Sequence, residues 1–592
     1  MSTRKPSPAL VGLGAISLAV VSVTAIADPP SPYQYTWLTV VNNTDLMPTE
    51  GCEKDSTKCK PFNSYNQPSV NERGLVVIRA RSRGGSEDAG GHGGEGETPA
   101  TALSVSEAGT GGEGGGTEHG NQPVHGIYTR DMSLANPIKI LDRKTEVPQP
   151  NNSHYPPSNK LLTTFIETPS FPRIDMDSDT VATRANHQPV WAYGAEGDET
   201  RVGTTGIYTN PFGDLITGAS KLGAVPGFEF FAVPGTDPPI MFDVFPGSPA
   251  VTGGSTLVFK GNYTVADIPK TGVFYRTLTN EPIQIDGAVL EPAGGMSEVV
   301  LIANNTETII PGTDPQVIFG STSPPSAAEG KAVFAGFDNE ENPTLGGIYL
   351  APIGVSKPPL TTLVRIGDQV PGERKGAVFN KLGEGVAFDG RYVAFWGAWG
   401  TMQTIRLHCP TEGNKDRIAY CLAQCPEPQG CSAEAPVNQG IFLHDTATGD
   451  TSAVAKAPTS YGDFLFWNFS GMVPGVGEGD EGSDEDGEPA RWRSSAFVAV
   501  SGKRTAFKAV SGNLLGVYLS NEPGQAAITV LDNRTDGQAL DPEAPAGSTV
   551  TEVGLEREGL RRDWLAVSAK MAVAGGSEED GMEGVYITRL AH

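Results

Sequence analysis

Hydrophobic positions along this chain fall in short runs divided by turn residues, and the runs repeat in a fixed order. One run opens with Gly, an apolar β-branched residue and an aromatic. It stands at Gly126–Tyr128, Gly206–Tyr208, Gly272–Phe274, Gly347–Tyr349, Gly440–Phe442, Gly516–Tyr518 and Gly584–Tyr586. Upstream of each lies a second run, in LVVIRARS, TVATRAN, TLVFKGN, KAVFAGF, YVAFWGA, TAFKAV and WLAVSAK, whose alternation predicts a strand. Most of these follow a tight polar or glycine turn, such as Asn71–Gly74, Asp177–Asp179 or Asp389–Arg391. Gly, Asn and Asp supply the positive φ or the local hydrogen bonds that such turns need, so another strand precedes each turn. A further run follows the Gly-led one, in IKILD, DLITG, PIQID, TLVRIGD, SAVAK and ITVLD. Each unit is therefore a four-stranded antiparallel meander, A to D from first to last, with the Gly-led run as strand C.

A single sheet of this kind leaves an apolar face uncovered, and seven of them around an axis cover one another. The expected fold is all-β, a seven-bladed β-propeller of four-stranded antiparallel blades, with a linear β-solenoid as the competing architecture. Phase closes the ring. The chain ends on a strand C, GVYITRL, with no strand D behind it, while Tyr35–Val41 (YTWLTVV) reads as a strand D with no blade before it. The N-terminal strand is expected to join the C-terminal blade, which hides both sheet edges. In this phase the long segments are B-to-C or D-to-A connections, and these emerge on one face. They include stretches at about 84–122, 398–439 and 458–493, read as loop or disordered insertions in one propeller spanning 28–592.

Composition agrees, since 74 Gly and 47 Pro leave little room for long helices. The first 27 residues read as a signal peptide: Arg4 and Lys5, an apolar stretch, then Ala25-Ile26-Ala27 before Asp28. Export to the periplasm or beyond is expected, with no membrane span after cleavage. Oxidation then fits the six cysteines, with one disulfide between Cys52 and Cys59 and two among Cys409, Cys421, Cys425 and Cys431, whose three pairings stay open. Zinc on that group of four is the alternative, without the paired spacing of a ribbon. A net charge of −26 excludes nucleic acid as a partner.

The stretch Pro68–Ala80 reads Pro-x-hydrophobic-Asn-x-x-Gly followed by a strand, and Gly-hydrophobic-aromatic comes later in the unit. It resembles a family of secreted bacterial β-propeller repeat proteins, and later units lose the Asn. The resemblance implies a propeller and names no activity.

Candidate chemistry is sparse. No Gly-x-Ser-x-Gly, HExxH or phosphate loop occurs. The run GEGDEGSDEDGE offers Asp480, Asp484, Asp486 and Glu488 as oxygen ligands for Ca²⁺, without the spacing of an EF-hand; a solvated loop is its plainer meaning, and no cofactor is otherwise expected. His92, His119 and His125 belong to a Gly-rich stretch read as a flexible loop. Trp467 and Trp492, in the stretch read as a loop, are candidate binding residues, while Trp396 is expected in the core between blades. The expected function is a non-enzymatic scaffold that binds a protein or glycan through its loop-bearing face. The alternative is a carboxylate-based hydrolase or lyase, Ca²⁺-dependent in one form, at the mouth of the central channel. For that role Asp175, Asp177 and Asp389 lie near inner strands, though turn duty accounts for them.

Overall fold

A computed structural model describes residues 35–48, 59–82, 124–152, 163–187, 191–193, 200–202, 204–285, 287–411, 415–471, 473, 489–576 and 581–590. Seven antiparallel sheets hold the strands in the order A-B-C-D. Their inner strands include Ser69–Val70, Arg173–Ile174, Ala250–Thr252, Ser326–Ala328, Ala387–Phe388, Val498–Ser501 and Leu560–Arg561. Each of these packs beside the next, and the last returns to the first, so the sheets form a closed seven-bladed propeller. Residues 1–27, read above as a signal peptide, Cys52 and the stretch 84–122 lie outside the described residues.

The Gly-led motif is explained by packing within strand C. Residues two apart share a face of a strand, so the aromatic lies over its own glycine. A Cβ on Gly126 would sit 2.5 Å from the Tyr128 hydroxyl, one on Gly584 2.6 Å from that of Tyr586, and one on Gly272 2.9 Å from Phe274 Cζ. Across the sheet the partner on strand B is also small: Ala80, Ala185, Gly261, Gly336, Gly397, Ala509 and Ala569 face the seven glycines. In six blades an aromatic from the preceding connection then meets the strand C ring. The pairs are Phe62–Tyr128, Phe165–Tyr208, Phe242–Phe274, Phe319–Tyr349, Phe379–Phe442 and Tyr461–Tyr518, with centroids 4.7–5.3 Å apart and mostly edge-on.

Strand D carries one extra residue opposite the junction between the β-branched residue and the aromatic: Ile140, Gly218, Ile302, Leu363, Val454 and Val530 in blades 1 to 6. The N-terminal strand Trp37–Asn42 pairs with Met582–Arg589 and carries the same bulge at Val40. Its last residue also behaves like the others: the amide of Thr44 donates to Asn42 Oδ1 at 2.9 Å, as Lys144 does to Asp142, Thr306 to Asn304 and Arg534 to Asp532. The N-terminal strand is thus strand D of blade 7.

Three expectations are corrected. PIQID is not strand D of blade 3. Ile283–Ile285 pairs with Ala288–Leu290 as a separate hairpin in a long C-to-D connection, on the face opposite the other insertions, and Val300–Asn304 is strand D. The 398–439 stretch is not a loop. Strands B and C of blade 5 continue through it as Tyr392–Leu407 and Cys431–Asp445, paired out to Leu407 and Cys431 around an α-helix at Lys415–Gln424. Within 458–493, Phe466–Ser470 pairs with Arg491–Ser495. The cysteines and glycines of these stretches hid an alternating pattern that simply prolongs strands. At the arm tip the pairing is Cys409–Cys421 and Cys425–Cys431, which engages all four sulfurs and leaves none for zinc. Cys59 is also disulfide-bonded.

At the seam between blades 7 and 1, the Tyr65 amide donates to Glu583 Oε1 at 3.3 Å. Burial pushes the Glu583 carboxyl up to about 7; Lys570 and Arg81 oppose the rise, and Glu552 adds to it. The folded state therefore holds this proton more tightly than the unfolded chain. The resulting penalty is absent below about pH 4.5, grows with rising pH, and is complete above about pH 7. Glu583→Gln keeps the acceptor oxygen and removes the charge. It is expected to raise stability at pH 8 by about 2 kcal/mol and to flatten the fall between pH 5 and 7, measured by urea unfolding across that range. A parent and variant with parallel profiles would contradict this.

Candidate functional site

The loop-bearing mouth of the propeller holds a cavity of about 730 Å³. Its walls come from elements far apart in sequence: Glu340–Pro343 between strands B and C of blade 4, Glu434 and Pro436 on the blade 5 arm, and the second hairpin with Trp467 and Arg491–Ser495. Its floor is the entry to the inner strands, at Pro324, Gly383–Gly385, Glu556 and Arg557.

The aromatic wall is fixed from behind. Trp396 donates Nε1–H to Gln439 at 2.9 Å, and Gln439 donates onward to Asp463 at 2.7 Å, which pins the indole between blades 5 and 6. Trp396 is buried in that core, as expected, yet its edge also lines the cavity. Trp467 and Trp492 are partly exposed and stand on paired strands rather than in a loop. Trp492 meets Phe469 edge-on at 5.4 Å and packs against the disulfide-clipped arm tip, so the two disulfides support this wall. Both indole N–H groups are buried without a partner. Arg491 spans the mouth to Glu340 at 3.2 Å and Glu341 at 3.5 Å, tying this hairpin to blade 4.

Below the floor, charged side chains fill the axis. Arg173 of blade 2 is 1% exposed and reaches Glu556 at 3.0 Å and Glu558 at 3.5 Å on blade 7. Arg557 donates to the Pro324 carbonyl of blade 4 at 3.2 Å. Arg561, 2% exposed, donates to the Val500 carbonyl of blade 6 at 3.1 Å and the Phe388 carbonyl of blade 5 at 3.3 Å. Burial works to raise the Glu556 carboxyl, but Arg173 and Arg557 outweigh it and hold it below the usual glutamate range. Burial takes the Arg557 guanidinium down to about 10.

A smaller pocket of about 450 Å³ opens at the opposite end. There Asp389 Oδ1 accepts the amides of Arg391 and Tyr392, and Asp175 Oδ2 accepts from the Ser178 hydroxyl and the Gly254 amide. Both are turn carboxylates that also stitch neighbouring blades, and Asp177 is exposed beside them. None belongs to the large cavity. Asp480, Asp484, Asp486 and Glu488, with His92 and His119, lie outside the described residues. His125 is buried on strand C of blade 1, where burial and three nearby arginines push its imidazole down to about 3.

Of the cavity residues, only the tryptophans were anticipated. Glu556 and Arg557, and Arg561 beneath them, were missed, although the segment GLEREGLRRDW places six charges where an inner strand is due, an unusual pattern that could have marked them.

No protein-family model matches the chain, and the curated proteins give no match. Among solved structures it is similar to the polysaccharide lyase Uly1, at 7% identity and a TM-score of 0.28, over 66% of this chain and 60% of that one. The NanB sialidase of Streptococcus pneumoniae matches at 12% identity and 0.27, over 94% and 70%. A glycosyl hydrolase of Bacteroides ovatus matches at 10% and 0.22, over 76% and 89%. The chain thus spans about 60% of the length of the lyase it matches. Values this low leave the chemistry of the mouth to be read from the chain's own residues.

Proposed function

We propose that this protein is an exported, non-enzymatic binding propeller that holds a glycan chain at the loop-bearing mouth. The observation that carries the reading is the cavity wall, where Trp467 and Trp492 stand beside Arg491, Arg493 and Glu434 above a charged floor. A sugar ring has an apolar C–H face and a polar rim. Indole faces cover the first, and fixed charged groups exchange hydrogen bonds with the second. The signal-peptide pattern read in the first 27 residues supports export. Catalysis by carboxylates is less well supported, because Glu340, Glu341 and Glu556 are each paired with arginine, and Glu556 is held ionised, which suits a fixed charge rather than a proton donor.

The test is a glycan array with the chain from Asp28 onward, followed by calorimetric titration of the best ligand. Trp467→Ala and Trp492→Ala are each expected to weaken binding about tenfold or more, with Trp467→Phe retaining part of it and melting temperatures checked in parallel. An array without any saturable glycan, or variants that melt normally and bind as the parent does, would remove the reading.

A further inference from the structure

Strand B of blade 6, Arg504–Ser511, carries a basic residue one position before its small residue Ala509. Blades 1 and 2 have Arg79 and Arg184 at the same register, before Ala80 and Ala185. Those two arginines have polar partners: Arg79 donates to Asn66 at 3.1 Å and Thr168 at 3.2 Å, and Arg184 to the Phe245 carbonyl at 3.2 Å. Lys508 has none of this kind. Its Nζ lies 4.2 Å from the centroid of Phe466 and 5.3 Å from that of Phe497, and among the described residues no carboxylate or carbonyl is paired with it. The residue is only 7% exposed.

The slot lies directly behind the wall of the large cavity. Phe497 lines that cavity, and Phe466 stands between Leu465 and Trp467, which line it too. We infer that Lys508 is a nucleophilic amine that captures an aldehyde entering through this cavity as an imine. An amine becomes a nucleophile by losing its proton, and an apolar slot without a counter-ion favours that loss. Burial takes the Lys508 ammonium down to about 8, with Glu552 acting in the opposite direction. The rings stabilise the ammonium through their faces but accept no hydrogen bond strong enough to fix it.

The step needs no oxidant or reductant. The Nζ lone pair attacks the carbonyl carbon and the carbonyl π pair moves to oxygen. Loss of that oxygen as water, with the two amine protons, leaves the carbon–nitrogen double bond. The neighbouring phenylalanines exclude bulk water and slow the return reaction. The inference goes beyond glycan binding and does not depend on it, because any small aldehyde serves as the probe.

The experiment is reductive labelling of the folded protein with glycolaldehyde and cyanoborohydride, read by peptide mass spectrometry over short times. At pH 7.5, Lys508 is expected to react at least about ten times faster than exposed Lys375, with its rate half-maximal near pH 8. Lys508→Gln removes the fast site and leaves the others unchanged. Labelling of Lys508 no faster than Lys375, or a rate that keeps climbing to pH 10 as for ordinary lysines, overturns the inference.

Discussion

Arg173→Ala is expected to be the costliest single substitution described, lowering stability by about 3–5 kcal/mol. Its guanidinium is the link between blade 2 and two glutamates of blade 7, and its removal takes away the nearest cation of each, leaving Glu556 to Arg557 at 3.4 Å and Glu558 to Arg561 at 3.9 Å. Weakening the pairing of a buried carboxylate is far more expensive than the ion pair is favourable, so the loss measures under-compensated buried charge more than the bond. Arg173→Met with Glu556→Gln removes charge from both sides and is expected to recover most of the loss. Acid should act in the same direction. Because Glu556 is held below its unfolded value, its contribution is present above about pH 4.5 and disappears as pH falls through the folded value. Urea unfolding of the two variants at pH 7 checks this, and a loss under about 1 kcal/mol for Arg173→Ala would show that the axis tolerates unpaired charge.

Removing residues 28–42 is expected to abolish the soluble monomer. Val40 and Val41 are buried, and burial of each side chain contributes about 1.5–3 kcal/mol. The deletion also leaves strand C of blade 7 as an open edge beside blade 1, the kind of surface that recruits other chains. A permuted chain with Tyr35–Asn42 attached behind Leu590 through a short flexible linker restores strand D from the other terminus, and it is expected to return to a monomer of near-parental melting temperature. Size-exclusion chromatography and thermal unfolding distinguish these outcomes. A well-folded deletion protein would mean that the ring closes without this strand.

The architecture was legible because its determinants are local and repeated. Gly-hydrophobic-aromatic marks strand C since only glycine admits the aromatic above it, and the phase of that motif predicted the pairing of Tyr35–Val41 with the last strand. The aromatics that meet these rings escaped notice: Phe62, Phe165 and Phe379 each open a short strand that follows a connection of different length, so no fixed spacing announces them. PIQID misled because its alternation is that of any strand, and only Asn304 at the end of VLIAN carries the turn that closes a strand D. The cavity was hardly visible for a related reason. It is assembled from blades 2, 4, 5, 6 and 7, and Arg491 finds Glu340 across some 150 residues of chain. Convergence of that sort depends on the ring and leaves no mark in any one stretch.

The bulged N-terminal strand also decides how the molecule can be moored. Trp37 lies beside Thr588, at the rim away from the tryptophan-walled cavity. Tyr35 and Leu590, where the described chain begins and ends, both stand on that far side. A propeller tethered by either end to a surface, a bead or a fused partner would present its cavity outward, unobstructed by its own leash.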